Sequence, residues 1–245
     1  MSKVIVITGA GVGLGRALAR GFAEDGHQLV LLGRTASKVE SAAADIGVNA
    51  VGIGCDVGDP NSVRAAFAAI TDQHGRVDVL INNAAVFEPY KIVNATDEQL
   101  QSAVNTNLLG PMLCVRSAIP LMAPGSHIIN ISSEGVDVRL PHLIPYQSTK
   151  AGLEGFTRNL ADELRDDGIR VTAVRCGQMY EEGKAWDIDP ANAMAFHQAA
   201  MQRGINLRER PISQFTSLIS TFRTLINLPA DFHAEFLSVG ARKPD

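Results

Sequence analysis

The stretch VIVITGAGVGLG, residues 4–15, decides the fold of this 245-residue chain. It begins with a short run of β-branched, apolar residues, which is typical of a buried strand. The glycines that follow Thr8 indicate a turn, and residues 16–24, an amphipathic stretch closed by Gly26, predict a helix. A strand, a glycine-rich turn and a helix in this order form the first unit of an α/β fold.

The same alternation continues along the chain. Further strands are predicted at residues 29–32, 50–53, 77–81, 127–131 and 169–174, with a last edge strand at 234–239. Helices are predicted at 37–46, 60–73, 99–121, 151–165 and 212–228. Fully apolar strands separated by helices imply a parallel sheet that is covered on both faces. We therefore expect a doubly wound α/β fold in three layers, α/β/α.

Length and composition are compatible with one domain over residues 1–245. Hydrophobic residues make up 46% of the chain and charged residues 20%, which is ordinary for a globular protein. Residues 178–210 are rich in charge, Ala and Met and have no strong periodicity. They follow the sixth strand, so we expect a substrate-covering insertion there.

Charge and cysteine usage exclude several classes of partner. The formal net charge is -4 with both signs mixed, so nucleic acid and anionic membranes are not expected, and a neutral or small anionic substrate fits better. Neither a signal-peptide core nor a long apolar run is found, which predicts a cytoplasmic protein. Cys55, Cys114 and Cys176 are widely spaced and form no metal-binding pattern, so we interpret them as buried thiols and expect no metal.

The glycines predict a dinucleotide site. Ligands of such sheets bind at the carboxyl ends of the strands, near the point where strand order reverses. Gly9, Gly13 and Gly15 would permit a tight turn, close approach of a pyrophosphate and close packing of the next helix, whose amides face the phosphates. A plain glycine-rich turn is the alternative for this motif taken alone.

The end of the second strand indicates which dinucleotide is bound. An acidic residue there would accept hydrogen bonds from the ribose 2′-hydroxyl of NAD, whereas a cation would suit a 2′-phosphate. The chain has Gly33-Arg34-Thr35, and a guanidinium is well suited to bidentate phosphate contacts. This favours NADP(H) over NAD(H), with a solvated loop charge as the alternative for Arg34.

Two polar turns follow the third and fourth strands. Asp56-Val57 stands where a carboxylate would accept from adenine, and residues 82–85, NNAA, form a turn of small residues against which a cofactor could lie. Ordinary turn chemistry also explains each of them, because Asp and Asn are common in loops.

Tyr146 and Lys150 are candidates for proton transfer. They stand four residues apart at the start of a predicted helix and therefore share one face. A free Tyr titrates near pH 10, and a neighbouring Lys, together with the positive charge of an oxidised nicotinamide, would favour its phenolate. Ser132-Ser133 could supply a hydroxyl for the substrate oxygen, and Asn107 could anchor a water that relays protons.

These residues resemble the motifs of the short-chain dehydrogenase/reductase family, in order, over residues 3–177. The family's TGxxxGxG turn matches residues 8–15, its NNAG motif 82–85 and its YxxxK motif 146–150. The serine usually found thirteen residues before the tyrosine corresponds to Ser133, and Asn107-Leu108-Leu109-Gly110 matches the segment of the family's asparagine. The resemblance implies a Rossmann fold and a catalytic tetrad, namely Asn107, Ser133, Tyr146 and Lys150.

The resemblance also implies an enzyme that interconverts an alcohol and a carbonyl compound, as a homodimer or homotetramer that pairs through helices 99–121 and 151–165. Two alternatives remain open, a non-catalytic NADP(H)-sensing regulatory protein and an epimerase or dehydratase of the same fold. The expected cofactor-binding residues are Gly9, Gly11, Gly13, Leu14, Gly15, Arg34, Asp56, Val57, Asn83, Ala84, Tyr146, Lys150 and Gly177.

The chain departs from the family after the sixth strand and at the tail, which lacks the family's glycine-rich VDGG-like ending. The family commonly has Pro-Gly after the sixth strand, with Thr four residues after that Gly, whereas this chain has Cys176-Gly177 and Glu181. We expect Glu181 to point away from the pyrophosphate, which its charge would repel. An apolar substrate pocket is suggested by Phe87, Tyr90, Leu140, Met179, Trp186 and Met194, with core packing as the alternative for several of them.

Overall fold

The computed structural model describes residues 2–180, 188–229 and 231–242. Its strands are β1 (Val4–Thr8), β2 (Gln28–Gly33), β3 (Ala50–Gly54), β4 (Val79–Asn82), β5 (His127–Ser133), β6 (Arg170–Cys176), β7 (Met179–Tyr180), β8 (Ser213–Gln214) and β9 (Phe236–Val239). Its helices are α1 (Gly13–Glu24), α2 (Ala36–Ile46), α3 (Pro60–His74), α4 (Asp97–Val104), α5 (Gly110–Ala118), α6 (Ile144–Glu163), α7 (Pro190–Gln202) and α8 (Ile219–Ile226).

Seven strands form one parallel sheet in the order β3-β2-β1-β4-β5-β6-β9. The order runs outward from β1 in both directions, first through β2 and then through β4. The loops after β1 and β4 therefore diverge and leave a crevice at their carboxyl ends, where doubly wound sheets bind ligands.

Helices cover both faces of the sheet. On one face, α1, α2 and α8 bury Phe22, Val39 and Phe222 against the sheet. On the other, α3, α5 and α6 bury apolar side chains such as Phe67 and Leu113. The predicted three-layer α/β/α fold is confirmed, since the continuous apolar strands need cover on both sides.

Helix boundaries differ from the predicted ones where proline is present. The helix predicted from residue 151 begins at Ile144, because Pro145 occupies its first turn, where a missing N–H has no consequence. The single helix predicted at 99–121 is instead α4, a π-helical segment Asn105–Leu109, α5 and a short 3₁₀ turn. Pro111 cannot donate to the carbonyl of Asn107, four residues earlier, which is consistent with this interruption of the α-helix.

Residues 178–180 and 188–214 form what we call the covering segment. Its short strands β7 and β8 pair with each other in parallel, and α7 lies between them, with the Asp189 side chain accepting from the backbone N–H of Asn192 at 3.0 Å. The sequence predicts no element for α7. The helix predicted at 212–228 is β8, a 3₁₀ turn and the shorter α8.

None of the helices in the described part of the chain is both long and apolar enough to cross a membrane.

Candidate active site

A cavity of about 760 Å³ lies at the carboxyl ends of β1, β4 and β5. Most of the predicted site residues line it: Gly9, Gly13, Leu14, Arg34, Asp56, Val57, Asn83, Ala84, Ser133, Tyr146, Lys150 and Gly177. Gly11, Gly15 and Asn107 are not among its lining residues; Gly15 packs behind the wall against Asn83 and Gly9, and Asn107 bonds to Val86, whereas Gly11 packs against α2. The three-dimensional fold thus brings together residues that lie up to 168 positions apart, from Gly9 to Gly177.

The glycine turn after β1 is built for close backbone contacts. Gly9 and Gly13 have φ angles of 66° and 61°, which L side chains rarely adopt. The Asn83 side chain donates to the carbonyl oxygens of Thr8 and Gly9 at 2.9 and 3.2 Å. A Cβ atom on Gly15 would lie 2.7 Å from that amide nitrogen and 2.8 Å from the Gly9 oxygen, so only glycine fits there.

Arg34 and Asp56 lie at the same end of the cavity, which we call the dinucleotide end. Arg34 is exposed at the cavity edge, and its guanidinium has no hydrogen-bond or ion-pair partner among the described residues. One carboxylate oxygen of Asp56 accepts from the backbone N–H of Gly58 at 2.9 Å, which fixes the side chain. The second oxygen is left to accept from a ligand.

Lys150 is buried beneath Tyr146. Its Nζ donates to the carbonyl oxygen of Ile131 at 2.7 Å and lies 5.9 Å from the centre of the Tyr146 ring. Burial lowers the pKa of Lys150 to about 8. Burial raises the pKa of Tyr146 to about 12, opposed by the hydrogen bond with Ser133, so the shift is opposite to the one expected from Lys150 alone. The phenol therefore holds its proton in this structure.

Two adjacent serines at the end of β5 have different partners. Ser133 lines the cavity, where its Oγ accepts from the backbone N–H of Gly135 at 3.1 Å. The Ser132 hydroxyl donates to Glu154 Oε1 at 2.6 Å, and Arg175 donates to both oxygens of the same carboxylate at 2.9 and 2.6 Å. This linked trio ties the end of β5 to α6 and β6.

Sequence reasoning missed Glu154 and Arg175. The available signal is the spacing of Glu154, which stands one helical turn after Lys150 and so shares its face of α6. The bidentate ion pair with Arg175 joins elements distant in sequence, and no local pattern predicts such a pairing.

Asn107 is fully buried, and both the oxygen and the nitrogen of its side-chain amide form hydrogen bonds within the protein. Its Oδ1 accepts from the backbone N–H of Val86 at 2.8 Å. Its Nδ2 donates to the Val86 carbonyl at 3.0 Å and to Thr149 Oγ1 at 3.3 Å. The side chain thus holds the segment after β4 against α6, beside Lys150, and a water on Asn107 would have to bind its backbone carbonyl.

The opposite part of the cavity, which we call the substrate end, is apolar and partly aromatic. The ring of Phe87 packs edge-on against Tyr146 with 5.1 Å between centres, and Phe196 of α7 packs against Phe87 at 6.5 Å. Of the residues suggested from the sequence, Phe87, Leu140 and Met179 line the cavity, Tyr90 is buried elsewhere and Met194 is 64% exposed. Trp186 and Glu181 lie outside the described residues.

The comparison with protein families agrees with this geometry. The model of the short chain dehydrogenase family matches residues 3–185. The chain belongs to the short-chain dehydrogenase family. Carbonyl reductase family member 4 of Danio rerio is 36% identical over 185 residues, which are 74% of this chain and 78% of that protein. The 3-oxoacyl-[acyl-carrier-protein] reductase of Bos taurus is 34% identical, with the same shares covered.

Solved structures of short-chain dehydrogenases have the same fold. The 3-ketoacyl-(acyl-carrier-protein) reductase from Brucella melitensis, complexed with NADH, superimposes with a TM-score of 0.81 at 28% identity, covering 97% of this chain and 96% of that one. An alcohol dehydrogenase from the archaeon Thermococcus sibiricus, complexed with 5-hydroxy-NADP, gives 0.81 at 25% identity and covers both chains fully, at 100% each.

In this short-chain dehydrogenase, the departure at Cys176-Gly177 leaves the end of β6 in regular pairing. The N–H of Gly177 donates to the carbonyl of Val239 at 2.8 Å, and a Cβ on Gly177 would lie 3.0 Å from the Cα of Gly240. The Cys176 thiol is buried beside Lys150, and burial raises its pKa to about 12. The thiol is therefore protonated and contributes an apolar surface to the cavity wall.

Proposed function

We propose that this short-chain dehydrogenase transfers hydride between NADP(H) and a carbonyl or alcohol substrate, with Tyr146 as the acid and base. The observation that carries the proposal is the convergence of Tyr146, Ser133 and Lys150 on one cavity that also contains the glycine turn. The names of its relatives support the same chemistry, since they include a carbonyl reductase and oxoacyl reductases.

The dinucleotide end has the features that such a cofactor needs. Gly9 and Gly13 of the turn line the cavity without side chains, and α1 begins at Gly13, so its first amides would face a bound phosphate. Asp56 has an oxygen available for the adenine amino group. The bound cofactor would supply the hydride and accept it in the reverse reaction.

Arg34 supports the preference for NADP(H) over NAD(H). It is the first residue after β2, where the ribose lies in this fold, and its guanidinium is available for a 2′-phosphate. Both kinds of nicotinamide occur among the solved relatives, with NADH in one and 5-hydroxy-NADP in another.

Each of the catalytic residues has a separate role in the proposed reaction. Ser133 and Tyr146 hold the carbonyl oxygen by hydrogen bonds, and Tyr146 gives its proton to that oxygen as charge develops. Lys150 stabilises the resulting phenolate by its charge. Asn107 is a positioning residue. Pro111 has no N–H to donate to the backbone carbonyl of Asn107, so this carbonyl holds the water that returns a proton toward Lys150.

The test combines cofactor binding and turnover. Nicotinamide fluorescence should show tighter binding of NADPH than of NADH by the wild type, and Arg34→Asp should abolish that difference. Arg64→Asp, which changes an exposed arginine on α3 outside the cavity, is the matched control.

Tyr146→Phe should keep NADPH binding and lower turnover by about a thousandfold. A near-wild-type rate in this variant would contradict the assignment of Tyr146. Tight cofactor binding without turnover of any carbonyl compound or alcohol would instead support the regulatory or epimerase alternatives.

We also propose that residues 1–245 unfold as one domain and that the chain assembles in the cytoplasm as a homodimer or homotetramer through α4, α5 and α6. A single transition in urea would support the first statement. Light scattering of the purified protein measures the second, and a monomer would contradict it.

A further inference from the structure

The substrate end begins with a row of aromatic rings. Phe87 packs edge-on against Tyr146 with 5.1 Å between ring centres, and Phe196 packs edge-on against Phe87 with 6.5 Å between ring centres. Phe196 belongs to α7, so the covering segment packs directly against the residue that touches the proton donor. A substrate held by Tyr146 therefore has aromatic surface beside it.

The covering segment presents mainly apolar side chains to the cavity. Between residues 188 and 212 its described lining residues are Ile188, Phe196, Leu207, Arg210 and Ile212, and at its start Gln178 and Tyr180 are polar lining residues. Leu140, from the loop after β5, lines the same cavity. Apolar walls give no hydrogen-bond partners, so hydroxyl groups of a bound ligand would lose their hydrogen bonds to water without replacement.

Arg210 is the charged member of that set, and a carboxylate neutralises it. Its Nη2 lies 2.7 Å from Glu134 Oε2, and the two side chains are only 23% and 31% exposed. Glu134 is the residue directly after Ser133 in the chain. The ion pair therefore lies near the reacting groups, and it leaves Arg210 without free charge for an anionic substrate.

We propose that the substrate is an uncharged carbonyl compound with an apolar, ring-sized body, and that Glu134 is a specificity-determining residue that rejects carboxylates by pairing with Arg210. This inference rests on the proposed function. A carboxylate substrate would have to displace Glu134 from Arg210 and would leave a partly buried carboxylate unpaired. A polyol would place its hydroxyl groups against Leu207, Phe196 and Ile212.

A matched set of substrates tests the inference with NADPH oxidation as the readout. Ethyl benzoylacetate and benzoylacetate share the ketone and ring and differ in the charge of the carboxyl group, and D-xylose represents polyols. We expect kcat/KM for the ester to exceed that for the acid and for the sugar by at least about tenfold. Wild-type preference for benzoylacetate or D-xylose, or turnover of none of the three with NADPH bound, would overturn the inference.

Variants then identify the residues responsible. Glu134→Gln should free Arg210 and reduce the preference for the ester over the acid by about tenfold, because kcat/KM for the acid rises. The further change Arg210→Gln should remove this rise in kcat/KM for the acid. Phe196→Ala should lower kcat/KM for the ester by about tenfold. Met194→Ala, an exposed residue of the same helix, is the control.

An unchanged ratio of ester to acid in Glu134→Gln would overturn the role of Glu134. Failure of the proposed function has a different signature, namely no binding of NADPH or full activity in Tyr146→Phe. If the protein binds NADPH and depends on Tyr146 but prefers benzoylacetate or D-xylose to the ester, only the proposed substrate class is overturned.

Discussion

The two ends of the cavity are built from different kinds of atoms. At the dinucleotide end, the backbone of the glycine turn forms part of the wall, and Asn83 fixes the turn by donating hydrogen bonds to the carbonyl oxygens of Thr8 and Gly9. At the substrate end, large apolar side chains such as Phe87, Phe196 and Leu207 form it. A backbone wall constrains the sequence to a few residue types, whereas an apolar wall accepts many side chains of similar volume.

Lys150 lies between the two ends, and its removal should have the largest effect. We expect Lys150→Met to lower kcat by about a thousandfold, because the phenolate of Tyr146 would lose its stabilising charge. Because the pKa of Lys150 is about 8, its charge is present below that pH, so wild-type kcat should fall as the pH rises through about 8 and this fall should be absent in Lys150→Met. A pH profile of kcat measures both effects, and an unmoved profile would show that Lys150 acts only in packing.

Gly15→Ala tests the backbone wall. The new Cβ would collide with the Asn83 side chain and the Gly9 oxygen, so we expect NADPH binding to weaken by about thirtyfold, equivalent to about 2 kcal/mol of overpacking. Gly155→Ala on α6 is the control, since a Cβ there has no atom within 4 Å and the residue has no unusual φ angle. If Gly15→Ala and Gly155→Ala changed the dissociation constant of NADPH equally, the special role of the turn would be contradicted.

Leu207→Ala tests the apolar wall. Removing this side chain should raise KM for an apolar ketone by about tenfold and leave the dissociation constant of NADPH unchanged. Met201→Ala, a partly exposed residue of α7 outside the cavity, should change neither value. A parallel loss of cofactor binding in Leu207→Ala would show that the two ends are not separable.

Glu154→Gln should have the smallest effect on catalysis. The variant weakens the bonds from Ser132 and Arg175, so Ser133 should shift slightly relative to Tyr146 and kcat should fall by about threefold, well below the hundredfold of a 1 Å misplacement. KM and NADPH binding should stay unchanged. Arg165→Gln, at an exposed surface ion pair, is the control, and an equal fall in kcat there would contradict the positioning role of Glu154.

The same contrast explains what the sequence could predict. The strands of the main sheet were predicted within a few residues, because each is an apolar run between helices in a sheet covered on both faces. Twelve of the predicted site residues line the cavity, since motifs at the ends of β1, β4 and α6 are local and the parallel sheet brings them together.

The rest depends on contacts between distant segments. No helix was predicted at α7, because residues 190–202 lack the periodicity of an amphipathic helix that packs on one face. The pairs Glu134–Arg210 and Glu154–Arg175 join residues 76 and 21 positions apart, and charge alone does not indicate which partners meet. The pKa of Tyr146 was expected to fall, and burial, which the spacing of two residues does not reveal, raises it.

The π-helical segment Asn105–Leu109 has a consequence for chain length. A π turn holds about one residue more than an α turn, so this segment is equivalent to a single-residue insertion in an α-helix. Deleting Thr106 would let the helix close into regular α turns with α4 and α5 still aligned, but it would remove the bulge that carries Asn107. The amide of Asn107 would then separate from Val86, so a shortening that the helix itself tolerates would detach the segment after β4 from the site.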